Sequence, residues 1–555
     1  MAIPDGRLVG DQVAFNVVFT NRHSRSGVNE GLNVLFSDLV KHLLLIGVPV
    51  RIYTTQRHEK GLVDILRANN VDPERVEILT PVRGSFALAI LMSGSERKRT
   101  GRLKNAIWKK VAPFLSSRNW AKFLAWLLDF SVLTSLPKLL LLMLIAPFAM
   151  LFAAAALVAL KVSRWVGKFL KFAKGIYILG AVQAASAKEV ESGAAGQDAT
   201  SSGSLVARFK RNLVIETAEG LYSVECRRLG TALAHVDDAR TFFFFHSFSG
   251  NAVKSLAGHK KTMVVFPDAV ASLYPTRYPA ERFSAVLMAS TVESVRSADA
   301  IICYSEFVKE RELEKFLPVE SAGKRVEVIP QGVFMPPVSL WREPLDVKSM
   351  NRYVCNAFPK EGALGTVQFG RFDYVFYPTV DRPHKGTMTA VRAVEYLLRE
   401  KQRNVKLIIT SHQLTEDVSD YVLERHLHRD ILCMPALPIA TLNKMLANAA
   451  VVVHPSLAEG GDIFNFSRAV SNGSPALLSD IQVVHEMFGR RGYPRERYGK
   501  WLFPAGDWRK LGALIEMCLA DRKGVWQDQF DSLDALGSHG YEEMARQYLS
   551  VYESL

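Results

Sequence analysis

Cysteine is scarce in this 555-residue chain: Cys226, Cys303, Cys355, Cys433 and Cys518 are scattered, odd in number and without paired spacing. That pattern excludes a disulfide framework and gives no zinc-ligand spacing, so a reducing, cytosolic compartment is expected. Met1 to Gln12 is short and polar, and no cleavable signal is expected ahead of the first element. With 48% hydrophobic and 22% charged residues the chain is not disordered in overall character. Its length is too great for one core, so two domains of ordinary size plus extra segments are expected. Acidic residues are nearly missing from Ser93 to Lys174, where 15 Lys and Arg face only Glu96 and Asp129. This stretch holds +13 of the net +14, which leaves the rest close to neutral and excludes nucleic acid as the partner of the main body.

Within the basic stretch lies the longest charge-free run, the 22 residues Leu139 to Leu160, with eight Leu, seven Ala and a single Pro147. As a helix it would be about 33 Å long, close to the hydrocarbon thickness of a bilayer. Strand patterns on both sides of it belong to one domain, so a single crossing would split that domain. The run is expected to cross twice with Ala121 to Pro137 as the other limb, to dip and return near Pro147, or to lie in the interface. From Lys161 onward, Lys161, Arg164, Lys168 and Lys171 share one helical face and Trp165, with Val162, Val166, Phe169 and Leu170, the other. Such a helix lies among anionic lipid headgroups, which predicts attachment at the cytoplasmic face of the inner or plasma membrane, monotopic or as a hairpin. Ser186 to Ser204 is Gly- and Ser-rich and reads as a mobile linker.

Outside the insertion, short apolar runs alternate with helical patterns, which predicts an α/β fold with parallel sheets flanked by helices. Strands are expected at Val13–Thr20, Val48–Thr54, Val76–Leu79, Thr241–Phe245, Thr262–Phe266, Ala300–Tyr304 and Val326–Ile329. A second set is expected at Tyr374–Tyr377, Val405–Thr410, Ile431–Met434, Ala450–Val453 and Ala476–Leu478. The expected organisation is a Rossmann-like domain over 1–92 and 205–338, a basic helical insertion over 93–185, and a linker over 186–204. A second Rossmann-like domain follows over 345–530, with a C-terminal helix in 531–555 returning to the first.

The most specific stretch is His454-Pro-Ser-Leu-Ala-Glu459-Gly-Gly, followed by Ser467-Arg-Ala, Asn472-Gly-Ser-Pro475 and Ser479-Asp480. A strand runs into a loop with an acid and two glycines, and a helix follows, an arrangement suited to a diphosphate. Here the chain resembles the second domain of retaining glycosyltransferases of family 4, with GT-B architecture: two Rossmann-like domains facing a central cleft. Further matches fall in the family's order: Ser297 to Val308, Val326 to Val333, Tyr377-Pro-Thr-Val-Asp-Arg382-Pro-His-Lys385-Gly386, and Leu502-Phe-Pro-Ala-Gly-Asp507. The resemblance covers about residues 13–80 and 205–555; the insertion is not part of it.

The resemblance and the chemistry together imply roles. Lys385, with Arg382, would neutralise the departing nucleotide diphosphate, where charge builds as the sugar–phosphate bond breaks. Glu459 would lie near the donor sugar and stabilise an oxocarbenium-like transition state, and Gly460 and Gly461 would admit the donor to the backbone. His246, at the end of Thr241-Phe-Phe-Phe-Phe-His, matches a histidine that contacts the donor sugar. Gly27 matches the N-terminal glycine loop, although the usual glycine pair is Ser26-Gly27 here. Asp268 is a candidate acceptor-side contact. The family's second glutamate, which binds the ribose, should fall where Ser467 and Arg468 stand; since a cation accepts no hydrogen bond, Asp462 or Ser467 would take that role, the donor is held differently, or activity is lost. No Asp-x-Asp pair and no Cys/His cluster occurs, so neither metal nor other cofactor is expected. The expected activity is transfer from a nucleotide-sugar donor to a glycan or lipid-linked acceptor at an anionic membrane, as in capsule, lipopolysaccharide or other polysaccharide assembly. A catalytically degenerate scaffold or regulator at the membrane is the alternative, and a GT-B epimerase is disfavoured because it has no need of a membrane segment.

Overall fold

The computed structural model describes residues 14–20, 31–82, 220–274, 282–333, 347–357, 368–434, 437–537 and 539–555. The chain divides into two compact units, Met1–Val82 with Cys226–Leu555, and Arg83–Glu225. Of the second unit only residues 220–225 are described, and they are helical. The apolar run Leu139–Leu160, the basic face of Lys161, Arg164, Trp165, Lys168 and Lys171, the Ser186–Ser204 linker and Gly27 lie outside the described residues. Among the described residues no helix is long and apolar enough to cross a membrane.

The first unit is built on two all-parallel sheets, each forming one lobe. In the first, β1 (Phe15–Val18), β2 (Val50–Thr55), β3 (Glu77–Val82), β4 (Thr241–Phe244), β5 (Lys261–Phe266), β6 (Ala300–Cys303) and β7 (Arg325–Val328) lie in the order β3-β2-β1-β4-β5-β6-β7. In the second, β8 (Asp373–Tyr377), β9 (Val405–Ile409), β10 (Ile431–Cys433), β11 (Val451–His454), β12 (Ala476–Asp480) and β13 (Leu502–Pro504) lie in the order β10-β9-β8-β11-β12-β13. Both have the Rossmann order, which reverses between β1 and β4 in one lobe and between β8 and β11 in the other. This is the two-domain α/β architecture expected of GT-B.

The continuous apolar runs become strands because both faces of each sheet are covered. In β8, Val375 and Tyr377 face the core that holds the helices Thr387–Arg399 and Trp508–Ala520, while Tyr374 and Phe376 face the core shared by Ile439–Asn448 and Phe464–Ser471. That alternation is the two-residue period of a strand. Only β13 is absent from the strands expected above: Leu502 to Pro504, three residues followed by Ala505-Gly506, carry too little pattern to mark a strand.

After the helices Arg522–Phe530 and Ser532–Gly537, which pack on the second lobe, the chain crosses back, and Tyr541–Glu553 buries Met544, Ala545, Tyr548 and Tyr552 on the first sheet. The Tyr552 hydroxyl sits at the amino ends of β1 and β4. It accepts from Asn16 N–H at 3.1 Å and Asn16 Nδ2 at 2.8 Å and donates to the Thr241 carbonyl at 2.8 Å. Tyr552→Phe is expected to cost about 1–3 kcal/mol, because it strips the acceptor from buried donors that water cannot reach. A lower urea midpoint with unchanged slope is the expected reading.

Candidate active site

Ligands of open parallel sheets bind beyond the carboxyl ends of the strands where the order reverses. In the second lobe that place lies between the loops after β8 and β11. The β8 loop is shaped by Asp381, whose carboxylate accepts from Thr387 Oγ1 and, at 2.6 Å, from the Thr415 amide. It then makes a short 3₁₀ turn, Pro383–Lys385, and closes at Gly386 with φ of 65°. An added Cβ at Gly386 would lie 1.9 Å from the Pro455 carbonyl oxygen, so only glycine lets the two loops meet. The Leu457 amide donates to the His384 carbonyl at 2.8 Å and stitches them together.

Across this junction Lys385 Nζ donates to Glu459 Oε1 at 2.5 Å, and the same oxygen lies 3.0 Å from His454 Nε2. Among the described residues Glu459 Oε2 has no hydrogen-bond partner. Burial alone would raise the Glu459 carboxyl, but Lys385 and the His454 bond outweigh it and hold the group well below its ordinary 4.5. His384 beside it is pushed down to about 3 by burial and by Lys385, and stays neutral. The site is thus an ion pair with one cation and one carboxylate whose free oxygen is available to a ligand.

The first lobe meets this loop pair directly. A Cβ on Gly460 would fall 2.0 Å from the Pro267 carbonyl oxygen, and one on Gly461 would meet Gln331 and Tyr304 at 2.9 Å. Ser305 Oγ donates to the Gly460 carbonyl at 3.1 Å, and Tyr274 donates to the Leu457 carbonyl at 3.0 Å. Asp268, next to Pro267, lies within the electrostatic reach of Glu459, Lys385 and Arg382; burial raises its carboxyl, the Val270 amide pulls it back, and the charge of Glu459 raises it further.

The structure therefore brings together Lys385, Glu459, Gly460, Arg382 and Asp268. It gives other candidates different surroundings. Gly460 and Gly461, expected to open the backbone to a donor, have that space filled by the first lobe. His246 sits at the switch point of the first sheet, but both ring nitrogens are engaged: Nε2 lies 2.6 Å from the Thr20 carbonyl and donates to it, and Nδ1 accepts from the Phe248 amide at 3.2 Å. Here it joins the β1 and β4 loops, and burial keeps it neutral.

The acids and hydroxyl weighed for a ribose are also occupied. Asp462 is 3% exposed and accepts from Arg490 and Arg491, each at 2.7 Å. Ser467 Oγ donates to the Phe464 carbonyl of its own helix at 3.1 Å. Arg468 lies within the electrostatic reach of Asp38 on the helix Gly31–Leu45, whose carboxyl is raised by burial, an effect that Arg468 only partly offsets. The arginine at the glutamate position thus lies close to the first lobe. Asp462→Asn is expected to lose about 3–5 kcal/mol, since it leaves two largely buried guanidinium groups short of charge; unchanged chemical unfolding would contradict this.

Two participants escaped the sequence reading. His454 ends β11 inside the quoted motif, and its polar head at a strand terminus beside an acid was the available signal. Glu486 accepts from the Glu306 amide at 2.6 Å and the Phe307 amide at 3.1 Å, joining the lobes, and no local pattern marks it.

No family model and no curated protein matches the chain. Among solved structures it is similar to a sucrose-phosphate synthase from Thermosynechococcus elongatus, with 16% identity over 60% of this chain and 77% of that one and a TM-score of 0.44. It is also similar to an E. coli trehalose-6-phosphate structure bound with UDP-2-fluoro glucose, with 12% identity over 61% and 79% and a TM-score of 0.43. A UDP-forming α,α-trehalose-phosphate synthase from Burkholderia xenovorans in complex with glucose-6-phosphate shows 13% identity over 60% and 78% and a TM-score of 0.42.

Proposed function

We propose that this protein is a membrane-associated, retaining, metal-independent glycosyltransferase that moves a sugar from a nucleotide-sugar donor to a lipid-linked or cell-surface glycan acceptor. The observation that carries the reading is the Lys385–Glu459 ion pair at the switch point of the second sheet, with Asp268 of the first lobe in its field. Breaking a sugar–phosphate bond puts negative charge on the leaving diphosphate and positive character on the sugar. Lys385, with Arg382, meets the first, and Glu459 Oε2 meets the second. Asp268 accepts the hydrogen bond of the incoming hydroxyl. The motif order in the sequence supports the family, and the basic, apolar insertion supports attachment at the cytoplasmic face of the inner or plasma membrane.

A second reading, a degenerate scaffold on the same fold, is favoured by one observation: Asp462 and Ser467, the side chains weighed for the ribose, are engaged within the protein, and a cation, Arg468, stands where the second glutamate is expected. Donor turnover separates the two. The detergent-purified protein is screened against UDP-, GDP- and other nucleotide-sugars with membrane extract, and the screen is repeated with Glu459→Ala and Lys385→Ala. Release of nucleotide that both changes abolish is expected; failure of every donor to bind would sink the enzyme reading. Deleting Asn119 to Gly175 is expected to release the protein from membranes, and unchanged pelleting contradicts the anchor.

A further inference from the structure

One carboxyl group near the site is used by nothing above. Glu312 lies on the π-helical segment Val308–Leu313 that follows β6, and it is fully buried. Its Oε2 accepts from the Ala269 amide, the residue after Asp268, and among the described residues its Oε1 has no partner. The same chain segment reaches the Glu459 loop through the Ser305 hydroxyl on the Gly460 carbonyl. The Pro267–Ala269 loop is therefore gripped from behind by Glu312 while its Pro267 carbonyl abuts Gly460 and its Asp268 faces the ion pair.

We infer that Glu312 is a positioning residue which, in its neutral form, holds the Pro267–Ala269 loop so that Asp268 is presented to the reaction centre. The acceptor-side role rests on the glycosyl-transfer reading; the grip on the loop does not. A buried carboxylate without a cation is costly, and a second carboxylate nearby adds to the cost. The titratable groups in its field are Asp268 from the β5 loop and the buried Cys303 thiol from β6. Burial, then the charge of Asp268, push Glu312 up to about 8, partly offset by the Ala269 N–H. Near neutrality the group holds its proton, and its ionisation sets two carboxylates against each other behind the acceptor loop.

The test compares Glu312→Gln, which keeps an acceptor for Ala269 and cannot ionise, with Glu312→Leu, which keeps the bulk and loses the bond. Hydrogen exchange of the Pro267–Leu273 backbone is expected to speed by about tenfold or more in the leucine variant and to stay near wild type in the glutamine variant. Equal protection in both variants overturns the positioning role whether or not turnover is found. The folded-state value lies above the ordinary 4.5, so wild type loses stability as pH rises from there through about 8. The melting temperature of Glu312→Gln relative to wild type therefore rises across that window, and a flat difference overturns the neutral form. With turnover in hand, wild-type kcat/KM falls above about pH 8 and Glu312→Gln lacks that limb, while Glu312→Leu loses about tenfold at neutral pH. A glutamine variant that keeps the limb overturns the inference; wild type inactive with every donor overturns the transfer reading and leaves the exchange and melting results to judge Glu312.

Discussion

Lys385→Ala is expected to lower kcat by roughly two to three orders of magnitude, the loss typical of removing a fixed charge aimed at a developing one. The structure adds a second effect with a different readout. Lys385 is the largest influence holding the buried Glu459 carboxyl down, so without it burial prevails and Glu459 titrates at higher pH. The acid limb of kcat/KM should move upward in Lys385→Ala. Glu459→Gln should lower kcat with a smaller change in donor KM, because it keeps the shape of the carboxylate and loses its charge. The two residues share one ion pair, so the double variant should lose far less than the two separate losses combined. A folded-state value below 4.5 means that the pair stabilises wild type above that pH and ceases to as pH falls through the lowered value. The melting difference between wild type and Glu459→Gln should therefore close in acid. Wild-type turnover in Lys385→Ala would remove this lysine from the leaving-group site.

Gly386→Ala is expected to destabilise the second lobe by about 3 kcal/mol, a fall of roughly 6–12 °C in its melting temperature. The φ of 65° opposes any side chain, and the added Cβ would lie 1.9 Å from the Pro455 carbonyl, which cannot retreat without breaking the Leu457–His384 stitch. Gly460→Ala makes a similar clash, 2.0 Å from the Pro267 carbonyl, yet across the seam between lobes. The lobes can part to relieve it, so its melting temperature should change little while kcat/KM drops about tenfold or more through misplacement of Asp268. Equal thermal losses in the two variants would show that the lobes do not separate as units.

Much of the scaffold was legible before any coordinate. Strands Val405–Ile409, Ile431–Cys433 and Val451–His454 stand where apolar runs put them. Buried parallel strands write themselves as unbroken apolar segments, and amphipathic helices as a 3.6-residue period. Glu459 and Lys385 were legible as candidates because each sits in a loop with glycine beside it.

What sequence could not decide was whom each side chain meets. His246 and Asp462 carry the right chemistry for a ligand, yet the first spends both nitrogens on Thr20 and Phe248 and the second its carboxylate on Arg490 and Arg491. Gly460 and Gly461 read as openings and are occupied by the opposite lobe. Glu312 had no pattern to betray it, being one acid among several in Glu306 to Glu314.

Sequence alone determined that this chain makes parallel α/β sheets, that nearly all of its net positive charge lies in one stretch, Ser93 to Lys174, and which loops carry polar chemistry, because strand burial, helix periodicity and local charge are properties of neighbouring residues. Only the tertiary structure decided that Lys385 reaches Glu459 across 74 positions, that Arg468 comes within the field of Asp38, and that Glu312 stands behind Asp268. The first follows from strand order, which sets β8 beside β11, and the third from β5 lying beside β6; the second follows from how the two lobes meet, and none of these is a property of neighbouring residues.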